Sequence, residues 1–260
     1  MKKFIITSNK YSFCLDGYQK LANKYWGENE DFTVLAFKDP KVKLAKNYSL
    51  NILGPGFDDS TPWSAALLPY FKSLNDDFFF LCFEDHFLVS HVNTDLINEA
   101  KQIMTTDESI SKVRLLPEYR GRNIIEKEYN TSFKVLDESR CHNNKESFAS
   151  LRPSIWRRST FIDMLSTPYL SHPYQIDTPH DFERANIAAT SHRNGRFLVP
   201  KGTYPLYPDL DAFRSGKFHD KVMTEGPITG WWGKGNDAFI LNDEDKAIFI
   251  EARDLHKGNR

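Results

Sequence analysis

The sequence predicts an α/β protein built on a Rossmann-type layer, with a mostly parallel central sheet flanked by helices. Three observations predict it. Short apolar runs alternate with stretches of helical spacing through residues 1–116, the order that places helices as crossovers on a parallel sheet. The run Phe78–Phe83 (FFFLCF) is apolar without a break, as in a strand covered on both faces. Hydrophobic residues make up 40% and charged residues 27% of the 260, enough apolar surface for a packed core in a single large domain, 1–260.

Lys3–Thr7 (KFIIT) reads as a short buried strand, followed by Ser8 and Asn9 in a loop. Tyr11–Tyr25 carries Phe13, Leu15, Tyr18, Leu21, Ala22 and Tyr25 at helical spacing. Phe32–Phe37 is a second strand, closed by Asp39-Pro40, and Tyr48–Leu53 a third, ended by Gly54-Pro55-Gly56. Thr61-Pro62 opens a helix through Trp63, Leu67 and Phe71, with Thr as cap and Pro at the first helical position. Phe78–Phe83 is the fourth strand, and Asn93–Met104 the next helix, capped by Asn93 or Thr94.

From Val113 the pattern changes. Val113–Leu116 reads as a strand, Ile124–Leu136 as a charged hairpin or excursion, and Arg140–Glu146 as a polar loop. Ser159–Leu165 is a short helix, Asp177–Thr190 a second capped one in which Thr178-Pro179 repeats the Thr61-Pro62 opening, and Phe197–Val199 a strand. The tail from Thr203 is rich in Tyr, Pro, Gly and Trp and ends in a polar segment.

Composition narrows the function. A formal net charge of -1 with no basic stripe speaks against a nucleic-acid partner. Cys14, Cys82 and Cys141 are odd in number, far apart and in no metal-binding spacing, as for free thiols in a reducing compartment. The apolar run Phe4–Ile6 is too short for a signal peptide, and no stretch nears the ~18 apolar residues of a membrane helix. A cytoplasmic protein without an integral membrane segment is expected. The aromatic content, 14%, reads as a Phe-rich core or as platforms for flat ligands.

Three stretches carry chemistry. In a doubly wound sheet, ligands sit beyond the carboxyl ends of the strands, so the loops after Thr7, Phe37 and Phe83 share one rim. The fourth strand ends in Glu84-Asp85-His86. On an extended chain Glu84 and His86 point to one side, and such a set can hold Mg²⁺ or Mn²⁺ shared with substrate phosphates; the same residues also suit an ordinary exposed turn. His180-Asp181-Phe182-Glu183 follows Pro179. Acids there either serve the helix dipole or supply a general base for a hydroxyl. SLRPSIWRR sets Arg152, Arg157 and Arg158 around Trp156, as a phosphate clamp with a stacking ring or as a solvated basic turn. Trp231-Trp232 reads as a packed tail, and its glycines lack the GxxxxGK[ST] pattern of a phosphate loop.

Together, ITSNKYSFCLDGYQKLANKYW, FEDHFL, SLRPSIWRR, HPYQIDTPHDFE and YPDLDAFRSGKF resemble bacterial and phage glycosyltransferases of GT-A type fold. The resemblance implies transfer of a sugar from a nucleotide-sugar donor to a hydroxyl on a glycan or lipid-linked acceptor, in surface glycan synthesis. It implies a nucleotide-binding half over 1–116 and an acceptor half and tail over 117–260. Carried over, Thr7, Ser8 and Asn9 would touch the nucleoside, and Asp85, with Glu84 or His86, would sit at the metal or the diphosphate. Arg152 and Trp156 would contact the donor, and Glu183, or Asp181, would be the base.

This sequence departs from the family at two places. Glu-Asp-His replaces Asp-x-Asp; imidazole suits Mn²⁺ better than Mg²⁺, or else Arg152, Arg157 or Lys201 balances the diphosphate without a metal. His180-Asp181 replaces an expected Trp-Asp or Trp-Glu. Three other functions stay open. A nucleotidyltransferase would carry a glycine-rich, lysine-bearing loop after the first strand, and TSNKYS has no glycine. A glycosidase needs two carboxylates about 5–10 Å apart. A degenerate GT-A-like protein would bind nucleotide or glycan without catalysis.

Overall fold

The computed structural model describes residues 1–53, 63–117, 126–137, 149–167, 178–183, 196–202, 205–214, 217–223 and 239–258. The expected Gly54-Pro55-Gly56 turn, the Thr61-Pro62 cap, the Arg140–Glu146 loop, Trp231-Trp232 and most of the Asp177–Thr190 helix lie outside them.

The strands are β1 Lys3–Thr7, β2 Phe32–Ala36, β3 Tyr48–Ile52, β4 Phe78–Phe83, β5 His86–Leu88, β6 Ile110–Arg114, β7 Glu126–Glu128, β8 Phe133–Asp137, β9 Ser154–Arg157, β10 Arg196–Pro200, β11 Asp209–Asp211, β12 Phe213–Arg214 and β13 Lys217–Phe218. The helices are α1 Cys14–Tyr25, α2 Trp63–Ser73, α3 Thr94–Thr106, α4 Arg158–Leu165 and α5 Asp243–Gly258. A nine-stranded sheet runs β3-β2-β1-β4-β9-β6-β10-β8-β7. Strands β3, β2, β1, β4, β6, β10 and β7 point one way; β9 and β8 oppose them. The fold class is therefore the mixed α/β one that the sequence predicts.

Continuous apolar strands mean burial on both faces, and the side chains alternate accordingly. Phe4, Ile6, Leu35, Phe79 and Leu81 join a core with Leu67 and Phe71 of α2 and Phe161 of α4. Ile5, Val34, Phe80 and Cys82 face the opposite core with Leu15 and Tyr18 of α1, Ile97 of α3 and Phe249 of α5. Each fully buried Phe or Leu contributes about 1.5–3 kcal/mol relative to exposure. Cys14 and Cys82 are free and buried, and burial pushes both thiols up, away from reactivity.

Several expectations shift by a few residues. Residues 11–13 form a turn before α1. Asn93 caps α3, its Oδ1 accepting the Leu96 N–H at 3.1 Å. The charged stretch after Ile124 contains the β7–β8 hairpin, and the strand expected at Val113–Leu116 begins earlier, at Ile110. The polar end of the tail is a helix, α5, that buries Phe249, Ala252 and His256. Its apolar stripe is too narrow to stand out among the charges. SIWR, read from the sequence only as part of an arginine-rich stretch around Trp156, is the antiparallel strand β9 between β4 and β6.

Candidate active site

Strands β1, β2 and β4 run parallel, so their carboxyl ends share a rim. Beyond it lies a cavity of about 520 Å³, lined by Ser8, Lys10, Tyr11, Phe83, Glu84, Asp85, His86, Leu151, Arg152, Pro179, His180, Glu183 and Asp211. Residues from all three chemistry-bearing stretches thus meet on one surface.

The chain does not stay extended after β4. Residues 84–85 form a turn, and β5 begins at His86. β5 leaves the main sheet and pairs antiparallel with β11, His86 opposite Asp211 and Leu88 opposite Asp209. The Ala212 N–H donates to the Asp85 carbonyl at 2.7 Å. The turn overturns the expectation that Glu84 and His86 point to one side, because alternation holds only along an extended strand.

Each residue of the tripeptide has its own environment. Glu84 is 2% exposed, and its Oε1 accepts both the Ser8 N–H and the Ser8 hydroxyl at 2.8 Å. The Ser8 hydroxyl in turn accepts the Tyr11 N–H at 3.0 Å. Burial, and then the Asp85 charge, carry the Glu84 carboxyl up to about 8 against the pull of the Ser8 bonds. Glu84 therefore braces the loop after β1. Asp85 is half-buried at the cavity wall. Burial raises its carboxyl above the ordinary value, with Asp211 adding to the effect and His86 and Arg152 opposing it.

His86 turns to Asp209 and Asp211. Its Nδ1 hydrogen-bonds the Asp209 carboxylate and lies 3.3 Å from Asp211 Oδ1. Burial opposes the imidazolium, yet the Asp209 charge and hydrogen bond, with Asp211, carry it up to about 9. Arg152 grips Asp211 through both terminal nitrogens, Nη2 to Oδ2 at 2.8 Å, a bidentate pair. Burial works against the Asp211 carboxylate, but His86 and Arg152 hold it below the usual range.

Sequence reasoning missed Asp209 and Asp211. A signal was present: in Leu206–Ala212 (LYPDLDA) two acids one residue apart flank Leu210, the period of a strand with both acids on one face.

A divalent metal can be tested against these residues. His86, Asp209 and Asp211 offer one ligand atom each, all within 4.8 Å of one another. The buried Asp209 Oδ1 has no hydrogen-bond partner among the described residues, and a mixed nitrogen–oxygen set suits Mn²⁺. The group could hold a metal ion in place of the His86 proton. His86 is common to this set and to the sequence expectation of Glu84, Asp85 and His86. Glu84 points to Ser8 instead, and Asp85 faces the cavity.

The remaining residues separate cleanly. Thr178 caps residues 179–183: its hydroxyl accepts the Asp181 N–H at 3.1 Å and donates to Asp181 Oδ2 at 2.6 Å. Asp181 serves this cap, whereas Glu183 lines the cavity with Oε1 accepting the Leu151 N–H at 2.8 Å. Trp156 does not stack on a ligand: it is 0% exposed, packed against Phe161 and Phe182, so it has no surface to offer. Arg157 is spent on the connection from α3 to β6, donating to the carbonyls of Met104, Asp107 and Ile110 at 2.7–3.0 Å. Lys201 pairs with Glu128 at 3.0 Å. Of the three cations that could balance a diphosphate, Arg152 is the one at the cavity. Thr7 is buried and Asn9 exposed; neither is among the cavity-lining residues, while Ser8 is.

No protein-family model and no curated protein sequence matches the chain. Among solved structures it is similar to S. aureus TarS residues 1–349, at 12% identity and a TM-score of 0.47, over 76% of this chain and 58% of that one. It is similar to the bifunctional IspDF of Campylobacter jejuni, at 11% identity and 0.40, over 81% and 52%. It is also similar to a UDP-glucose pyrophosphorylase complexed with UDP-glucose, at 8% identity and 0.45, over all of both chains. The chain thus spans a little over half the length of the first two. These likenesses do not bear on the chemistry, which is read from the site itself.

Proposed function

We propose that the chain transfers a sugar from a nucleotide-sugar donor to a hydroxyl acceptor, a glycan or a lipid-linked saccharide. The observation that carries this reading is one cavity at the carboxyl rim of β1 and β4 that Asp85 and Arg152 line together with Glu183. Donor and acceptor can then meet between a charge-handling wall and a base. The loop 8–11 at the end of β1 would take the nucleoside, Ser8 being fixed by Glu84. Arg152, braced by Asp211, and Lys10 would supply positive charge to the diphosphate. Asp85 would orient the donor at the rim.

Glu183 would accept the proton of the acceptor hydroxyl as that oxygen bonds to the anomeric carbon. The bond from that carbon to the diphosphate oxygen breaks, and the nucleoside diphosphate leaves with the electron pair. When bound, a divalent cation at His86, Asp209 and Asp211 would supply Lewis-acid neutralisation of phosphate charge.

A second reading has its own support. Lys10 lines the cavity from the loop after β1, where a nucleotidyltransferase places a lysine against triphosphate. One experiment separates the two. Thermal melts are run with UDP, GDP, ADP, CMP and dTDP and with the matching triphosphates, each with Mn²⁺, Mg²⁺ or EDTA. Stabilisation by mass action from one diphosphate, followed by turnover of its sugar derivative, is the expected result. Pyrophosphate release from a triphosphate and a sugar phosphate would establish nucleotidyl transfer instead. Binding without turnover of any donor would make the chain a nucleotide-binding protein. No shift with any nucleotide would reject both transfer readings.

A further inference from the structure

Lys112 lies in the middle of β6, opposite Trp156 of β9, and is 0% exposed. Burying an ammonium is costly unless its donors are engaged, and nothing in the chemistry above uses it. Its Nζ stands 4.1 Å from the centre of the Trp156 ring and donates to the Ser150 carbonyl oxygen at 2.5 Å. The neighbouring Leu151 N–H donates to Glu183 Oε1 at 2.8 Å. The Ser150 carbonyl and the Leu151 N–H belong to one planar amide. The order is therefore ammonium, amide oxygen, amide N–H, carboxylate, with a single peptide unit between the cation and Glu183.

We propose that Lys112 is a positioning residue for Glu183, acting through the amide between Ser150 and Leu151. The proposal rests on the reading of Glu183 as the base. A cation at the carbonyl oxygen draws electron density across the amide and makes its N–H a stronger donor, the cooperative effect of hydrogen bonds in series. The same contact fixes the amide in space. Glu183 is held from a second side, because the preceding Phe182 is 0% exposed among Trp63, Phe161 and Trp156, at ring separations of 5.5, 5.5 and 6.4 Å. Trp156 thus touches both the cation and the ring next to the base. One carboxylate oxygen is pinned while the side chain still reaches the cavity.

The test uses the full chain and the nucleotide-sugar donor that the melts select, with water as acceptor and donor hydrolysis as readout. Lys112→Met keeps the length of the side chain and removes the charge. The expected result is a fall in kcat of about 10- to 100-fold, the scale of a misplaced catalytic group, with the donor KM unchanged. In a Glu183→Gln background the same substitution should cost nothing further, which a purely structural lysine would not satisfy. If Lys112→Met does not fold, an ester at the 150–151 linkage removes the N–H to Glu183 and weakens the carbonyl that Lys112 holds, and should give the same fall and the same silence in Glu183→Gln. Wild-type kcat in the folded Lys112 variant, or an equal loss in both backgrounds, would overturn the proposal alone. Full turnover by Glu183→Gln would overturn the base assignment together with it.

Discussion

Glu84 and Asp85 are adjacent carboxyls with different tasks, and substitution should separate them. Asp85→Asn removes the charge at the cavity wall, with an expected loss of about 100-fold in donor turnover and little change in melting temperature. Glu84→Gln acts on stability. Between pH 4.5, its ordinary value, and about 8 the folded chain keeps a proton on Glu84 that the unfolded chain has released. Stability therefore falls as pH rises through that window. His86, lifted from 6.5 to about 9, contributes stability that is complete below 6.5 and lost as pH rises through 9. Urea midpoints measured against pH should show a two-part decline in the wild type, and Glu84→Gln should lose the lower part. The tripeptide was legible as chemistry because it follows a buried strand at the rim where such a sheet binds ligands, although acids at a strand end also suit an ordinary turn. Its geometry was not, because a two-residue turn reverses alternation and Asp209, the hydrogen-bond partner of His86, lies 123 residues away.

The ribbon of β5 and β11 carries His86 and Asp211 to the cavity, with Asp209 buried behind them, and α1 and α5 support the ribbon from behind. Gly17 of α1 is where that support is tightest: a Cβ there would sit 2.7 Å from Phe87 Cζ and 2.8 Å from Cε2. Helix propensity alone favours Gly17→Ala by about 1 kcal/mol. The overpacking should reverse the sign, giving a loss of about 1–3 kcal/mol, measurable by denaturant titration. From the other side, Phe249 of α5 meets Phe87 at a ring separation of 4.9 Å; Phe249→Ala should cost about 3–5 kcal/mol and weaken nucleotide binding by loosening β5. The parallel strands β1, β2 and β4 could be read from apolar runs because both their faces are buried. The ribbon was harder to read, since a three-residue strand shows its period only once, as in Asp209-Leu210-Asp211, and α5 hid behind its many charges.

Across the whole molecule, the alternation of strand and helix gave away the sheet as far as β4, apolar runs marked β6 and β10, and the carboxyl ends of the parallel strands gave away the rim. The middle of the sheet stayed hidden because β9 pairs with β4 and β6 from far along the chain, a relation set by tertiary packing alone. Among the described residues no helix is long and apolar enough to cross a membrane. That late strand has a consequence for how the protein comes into being. Until residues 154–157 slot between them, β4 and β6 each present an open edge, a template for pairing with another chain. Arg152 and the amide that holds Glu183 lie immediately ahead of the same strand. A nascent chain that stops short of Ser150 owns the Ser8–Asp85 side of its cavity but neither Arg152 nor the amide that holds Glu183. Under the proposed function, insertion of β9 and delivery of Arg152 to the cavity are thus one event, and a chain halted on the ribosome before Ser150 should aggregate at its bare edges while leaving nucleotide-sugars untouched.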